Sequence, residues 1–234
     1  STWSQDLLHG RSSRTDAEHV AWLKNMNLNS VRLEGSLASD RFWDLCDEEG
    51  VLVLNGLPCC NHWEAWDKWK DEDLDVAADS VRGALLTARN HPSHVGYMLG
   101  SDFPPPEHVE RRYLATVRET PIGVPVIGNS AARDTVLLGT TGMEHGPYSF
   151  VPPVFWYEEG AKRCNTEVGP GACIPVLDSL RRFLPPEQLR VDSEAWRFHC
   201  GLQNFTHTHD TERALRDRYG QEADDLERFV EAAQ

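Results

Sequence analysis

The feature that most constrains this chain is an alternation. Four times between residues 15 and 130 an amphipathic stretch gives way to a short apolar run that stops at a polar or acidic tip. Thr15-Asp16-Ala17-Glu18 has the spacing of a capping box and predicts a helix to about Asn27, with Ala17, Val20, Leu23 and Met26 on one face. Ser30-Val31-Arg32-Leu33 then reads as a strand tipped by Glu34-Gly35. A helix from about Asp40 to Glu49 stops at Gly50, and Val51-Leu52-Val53-Leu54 runs into Asn55-Gly56. A helix from about Asp73 to Asn90 leads to His94-Val95-Gly96-Tyr97-Met98-Leu99, closed by Gly100-Ser101-Asp102. A helix over Glu107 to Thr120 precedes Val124 to Ile127, which ends at Gly128-Asn129-Ser130. Near-continuous apolar strands separated by helices are the signature of a parallel sheet covered on both faces.

Beyond residue 130 the pattern loosens. Residues 139–157 carry Gly142, Gly146, Pro147, Pro152 and Pro153 among the aromatics Tyr148, Phe150, Phe155, Trp156 and Tyr157, and read as an irregular binding loop around a short strand. Asn165-Thr166-Glu167 closes another strand, and Gly169-Pro170-Gly171 interrupts regular structure after it. Residues 175–234 read as mostly helical, with stops at Pro185-Pro186 and Gly220. Strand tips therefore fall at Glu34, Asn55, Asp102, Asn129, near Gly146 and at Glu167, six in all where a closed barrel needs eight. The expectation is an α/β fold in one domain, residues 1–234: a partial (β/α)8 TIM barrel with strands two to seven present and the first and eighth missing. Such a chain is a fragment of a longer parent; a six-stranded open sheet is the alternative.

Charge and composition narrow the partners. The net charge of −14 argues against a nucleic acid, whose binding rests on Lys and Arg displacing counterions. It tolerates a cationic substrate. No apolar run approaches the ~20 residues of a membrane span, and no signal-peptide pattern opens the chain, so no membrane partner is expected. Six cysteines form no compact disulfide framework. Cys59-Cys60 with His62, and His207 with His209, lack a four-ligand set, so neither a metal nor a cofactor is expected.

In barrels of this kind chemistry collects just past the carboxyl ends of the strands, where Asp102 and Glu167 fall. Glycoside hydrolysis needs two carboxyl groups flanking one bond, about 5–5.5 Å apart when the anomeric configuration is retained. Each acid also has an ordinary alternative, as a helix cap or an ion-pair partner. The segment from Cys59 to Trp69 holds Trp63, Trp66 and Trp69; their rings could stack on a sugar or pack against their own domain, and the sequence leaves both open.

The motifs Asn27-Leu28-Asn29-Ser30-Val31-Arg32-Leu33-Glu34-Gly35, Cys59-Cys60-Asn61-His62-Trp63-Glu64, Gly100-Ser101-Asp102-Phe103, Gly146-Pro147-Tyr148-Ser149-Phe150-Val151-Pro152-Pro153 and Thr166-Glu167-Val168-Gly169 run through nearly the whole chain. Together they resemble the exo-β-D-glucosaminidases, the exochitosanases of glycoside hydrolase family two. The resemblance implies a retaining hydrolase that removes β-1,4-linked glucosamine from the non-reducing ends of chitosan oligomers. Asp102 would be the acid/base and Glu167 the nucleophile, and Glu34 would receive the substrate's ammonium group. A carboxylate suits that group and does not reward an N-acetyl, although Glu34 could instead pair with Arg32. Trp63, Glu64, Ser101, Tyr148 and Trp156 complete the expected substrate-binding set. Ser101-Asp102 stands where the wider family has Asn-Glu, as in the glucosaminidase branch; Pro58 stands where these enzymes often carry an acid, and Asn165-Thr166-Glu167 varies the usual lead-in. The implied partners are chitosan oligomers and the remaining domains of the parent chain, with secretion expected because chitosan cannot enter a cell. A β-mannosidase-like relative and an inactive carbohydrate-binding fragment are the rival readings.

Overall fold

The structure, a computed structural model, describes residues 13–34, 38–57, 61–131, 133–140, 142–158, 164–169, 173–200, 208–220 and 225–234. Pro58, Cys59, Cys60 and His207 lie outside these residues. The chain divides into two compact units, Ser1–Glu144 and His145–Gln234.

The first unit is built on a sheet of four parallel strands, β1 (Ser30–Arg32), β2 (Leu52–Gly56), β3 (His94–Met98) and β4 (Val126–Ile127), in the order β1-β2-β3-β4. Successive strands are neighbours because each is preceded by a helix long enough to carry the chain back: α1 (Ser13–Asn25), α2 (Asp40–Glu49), α3 (Asp71–Ala88) and α4 (Glu107–Glu119). The register sets Arg32 beside Leu54, and Asn55 and Gly56 beside Tyr97 and Met98. Gly56 is required there, since a Cβ would stand 2.8 Å from both the Cβ and the carbonyl oxygen of Met98.

Two apolar clusters fill this unit. Val20 of α1 and Phe42, Trp43, Leu45 and Cys46 of α2 bury against Leu33, Val51 and Val53. Ala77, Val81, Ala84 and Leu85 of α3 and Val109 and Tyr113 of α4 bury against Leu57, Tyr97 and Leu99. Burial pushes the Cys46 thiol up to about 12, with the nearby Asp47 and Asp16 carboxylates adding to the effect. The Cys46 thiol is thus a small apolar core group and not a nucleophile.

Helix α1 is described from Ser13, so Thr15 lies within it rather than before it, and Asp16 Oδ2 accepts from Ser39 Oγ at 2.5 Å. Ser39 is itself the cap of α2, accepting from the Phe42 amide at 3.1 Å, and Gly50 (φ 69°) closes that helix. One aspartate therefore ties two helices together at a cap.

A short strand, β5 (Met143–His145), falls at the boundary of the units, and the second unit holds β6 (Cys164–Glu167). A helix, α5 (Pro153–Glu158), stands where the sequence predicted irregular loop. Proline is tolerated in a first helical turn, where its missing N–H has no partner to lose, so Pro152-Pro153 starts a helix here. Helices α6 (Leu177–Phe183), α7 (Glu194–His199), α8 (His209–Tyr219) and α9 (Leu226–Ala233) complete the unit. They close on Leu180, Leu184, Trp196, Leu215, Phe229 and Val230. Trp196 meets Phe229 edge-on at 5.8 Å, and its indole N–H donates to Glu212 Oε1 at 3.1 Å. Among the described residues no helix is long and apolar enough to cross a membrane.

Candidate active site

Chemistry in the first unit gathers where β1 and β3 end. The turn after β3 is tight: a Cβ at Gly100 would stand 2.5 Å from the Phe103 carbonyl oxygen, so only glycine fits beneath the loop that carries Asp102. Ser101 is fully buried and anchors the turn on three sides. Its carbonyl accepts from the amides of Ser130 and Ala131, both at 3.2 Å, past the end of β4. Its amide donates to Glu64 Oε1 at 2.9 Å. Its hydroxyl donates to Glu34 Oε1 at 2.7 Å and accepts from an Arg32 guanidinium nitrogen at 2.6 Å.

Arg32 also donates to Glu34 Oε1 at 3.1 Å, so the arginine pairing open in the sequence is formed. The Arg32 side chain is only 10% exposed against 32% for Glu34, which leaves the carboxylate facing outward from a fixed cation. Asp102 is partly buried, and carboxylate oxygens of Glu34 and Asp102 come within 4.8 Å of each other. The strand-end arrangement thus brings Arg32, Glu34, Ser101 and Asp102 together through residues 67 to 69 positions apart in sequence. Arg32 and Ser130 were not among the expected site residues; the strand-tip pattern of Arg32-Leu33-Glu34 and Gly128-Asn129-Ser130 was the available signal.

The tryptophan segment resolves toward packing. Trp63, Trp66 and Trp69 are partly buried against the cluster around Leu57, Tyr97 and Tyr113. The Trp69 indole N–H donates to the His62 carbonyl at 2.6 Å, folding the segment back on itself as two short 3-10 turns, Asn61–Glu64 and Trp66–Lys68. Trp63 retains partial exposure.

In the second unit Glu167 ends β6. Asn165 works in both directions: its Nδ2 donates to the Gly146 carbonyl at 2.7 Å, and its Oδ1 accepts from the Glu167 amide at 3.1 Å. The Gly146 amide donates to the Glu167 carbonyl at 2.6 Å, and the Gly169 amide to the Pro147 carbonyl at 3.1 Å. The peptide between Gly146 and Pro147 is cis. Glu167 and Tyr148 are therefore carried by one hydrogen-bonded pair of segments, with Tyr148 6.2 Å from His145, ring to ring. Trp156 lies on α5, edge-on to Phe155 at 5.4 Å.

A parallel sheet whose acids cluster at the carboxyl ends of its strands places the chain in the class of α/β proteins that keep their chemistry at that end. The relatives are particular. The chain is 32% identical, over 99% of its length, to an exo-β-D-glucosaminidase of Amycolatopsis orientalis, of which it covers 24%. It is 35% identical, over 80% of its length, to an exo-β-D-glucosaminidase of Streptomyces avermitilis, of which it covers 22%. The crystal structure of the Amycolatopsis orientalis exo-chitosanase CsxA superposes with a TM-score of 0.86 at 31% identity, covering 99% of this chain and 29% of that one. Two single-substitution variants of CsxA have also been solved in complex with PNP-β-D-glucosamine. A β-D-mannosidase from Dictyoglomus thermophilum, at 16% identity and a TM-score of 0.66, shares the fold over 95% of this chain and 29% of its own. No protein-family model matches. Over nearly its whole length the chain is homologous to one part of the exo-β-D-glucosaminidases, and it spans about a quarter of the length of those relatives.

Proposed function

We propose that this chain is the catalytic part of a retaining exo-β-D-glucosaminidase that releases β-1,4-linked glucosamine from the non-reducing ends of chitosan oligomers. Both units then belong to one catalytic domain, and the parallel strands to a partial (β/α)8 barrel holding strands two to seven. The observation that carries the reading is the pair of strand-end carboxylates, Glu34 and Asp102, within 4.8 Å of each other and with Glu34 fixed by Arg32. Homology to enzymes of that name over 99% of the chain supports it.

The chemistry comes from the acids. The Glu167 carboxylate attacks the anomeric carbon while Asp102 gives a proton to the departing glycosidic oxygen. Asp102, now a carboxylate, takes a proton from water as that water attacks the glycosyl ester and frees Glu167. The glucosamine ammonium lies against the Glu34 carboxylate, which Arg32 holds in place from the buried side. Trp63, Glu64, Ser101, Tyr148 and Trp156 make up the rest of the substrate-binding set, of which Ser101, fully buried, and Glu64, bonded to the Ser101 amide, act from behind the sugar. Chitosan is too large to enter a cell, which supports a secreted parent protein.

A panel of aryl glycosides tests this in the whole protein. Aryl β-D-glucosaminide is hydrolysed, and the N-acetyl and β-mannoside analogues react at least about 10²-fold more slowly, the discrimination expected when a built charge partner is lost. Asp102→Ala and Glu167→Ala each lower kcat by ~10³-fold or more on a sugar leaving group. Preference for the mannoside would move the chain to the β-mannosidase reading; hydrolysis of none would leave carbohydrate binding alone.

A further inference from the structure

We infer that Glu64 is a positioning residue, a carboxylate clamp that fixes the loop carrying Asp102 and through it the acid itself. The inference rests on the catalytic reading of Asp102 given above. One oxygen of Glu64, Oε1, accepts from the Ser101 amide at 2.9 Å and from the Phe103 amide at 3.3 Å. These are the two amides that flank Asp102. A single anion between them holds residue 102 from behind, in the way that successive N–H groups of a tight turn gather an anion.

Further contacts hold Ser101. The Ser101 carbonyl is held by the Ser130 and Ala131 amides, and its hydroxyl by Arg32 and Glu34. Those contacts stop at residue 101. The Glu64 contacts to the Ser101 and Phe103 amides lie on both sides of Asp102, beyond a glycine whose position admits no side chain. Phe103 is 47% exposed, with Arg133 over its ring at 4.6 Å, so its side chain is not locked in the core.

Glu64 is itself held rigidly. It ends the 3-10 turn Asn61–Glu64, next to Trp63, and the folded-back segment after it is pinned by Trp66 and Trp69 against the α3–α4 cluster. The tryptophan segment, which the sequence left open between sugar stacking and packing, is on this account the scaffold for the clamp. A general acid displaced by about 1 Å loses on the order of 10²-fold in rate, which is the size of effect a loosened loop produces.

The test is made in the whole protein with Glu64→Ala and Glu64→Gln. Glutamine keeps an oxygen acceptor for both amides; alanine keeps none. Two substrates with the same glycon are compared, a glucosamine disaccharide and dinitrophenyl β-D-glucosaminide, because a good leaving group hardly needs the acid. The expectation is that E64A loses about 10²-fold in kcat/KM on the disaccharide and under about threefold on the dinitrophenyl substrate, and that E64Q recovers at least about tenfold over E64A on the disaccharide. Equal losses on both substrates would make Glu64 an ordinary sugar-binding residue and overturn the inference. Amide exchange of the 101–103 segment reads the clamp without activity: it quickens in E64A and stays slow in E64Q, and unchanged exchange in E64A overturns the clamp. A wild-type protein that cleaves neither substrate would instead sink the catalytic reading, with the exchange result still deciding the clamp.

Discussion

Glu110 is fully buried on α4, yet its partners are not cations: Oε2 accepts from the Leu137 amide at 2.9 Å and Oε1 from the Leu138 amide at 3.0 Å. The same chemistry appears at Glu64 with the amides around Asp102. A charged acceptor compensates backbone donors that no strand or helix reaches, and each such bond contributes about 1.5–3 kcal/mol. Glu110→Ala leaves the Leu137 amide without its acceptor, the Leu138 amide with only Thr135 Oγ1 at 3.2 Å, and a void behind them, so urea unfolding should show a loss of about 2–4 kcal/mol. Glu110→Gln, which keeps one oxygen, should lose less than the alanine variant. Equal stability of wild type and Glu110→Ala would mean that water replaces the carboxylate at no cost. Clamps of this kind are hard to read in a sequence. Glu64 meets its amides 37 and 39 positions away, and its partners are backbone groups that every residue carries. Glu34 and Asp102 were legible because an acid just past an apolar run has few other places to be.

Elements were legible wherever an apolar face met a stop signal. Helix α2 begins after Ser39 and ends at Gly50, and the apolar run of β3 ends at Gly100, as read from the sequence. Helix α5 was not legible, because Pro152-Pro153 and clustered aromatics read as loop and nothing local showed that Pro153 falls in a first turn. One inter-element tie also sets a pH response. Asp47 on α2 receives His91 Nδ1 at 2.7 Å and the Ser93 amide at 2.9 Å, fastening α2 to the turn that enters β3. Partial burial alone would raise its carboxyl, but the hydrogen bonds from Ser93 and His91 outweigh that and hold it below the usual carboxylate range. A folded value below the unfolded one means stabilisation that is complete above the unfolded value, about 3.9, and lost as pH falls through the folded one. His94, buried with its ring edge-on to Trp43 at 5.8 Å, is pushed down by burial and so stays neutral in the fold. Its contribution has the same sign: present above about pH 6.5 and lost as pH falls below it. Melting temperature should therefore decline from pH 7 toward 5 and drop further below about 4. His94→Gln should flatten the first decline and Asp47→Asn the second; a flat profile in the wild type from pH 7 to 5 would count against a neutral buried His94.

For the molecule as a whole, the parallel order β1-β2-β3-β4 delivers successive strand ends to one edge of the first unit, and that is why residues as distant as Arg32, Glu64, Ser101 and Ser130 meet. The fold class was legible in the alternation of elements, because a parallel sheet needs a crossover between every pair of strands. The division into Ser1–Glu144 and His145–Gln234 was not, since no change of composition marks residue 145. In the proposed mechanism Glu167 forms the covalent bond to the sugar and Asp102 moves the proton, so the stereochemistry of the reaction reports on both. The most direct measurement is the configuration of the first product, followed by proton NMR as the whole protein hydrolyses an aryl β-D-glucosaminide. The account predicts that β-glucosamine appears first and mutarotates to the α form afterwards, the mark of two displacements through Glu167. Initial release of the α anomer, or no release of glucosamine, would contradict it.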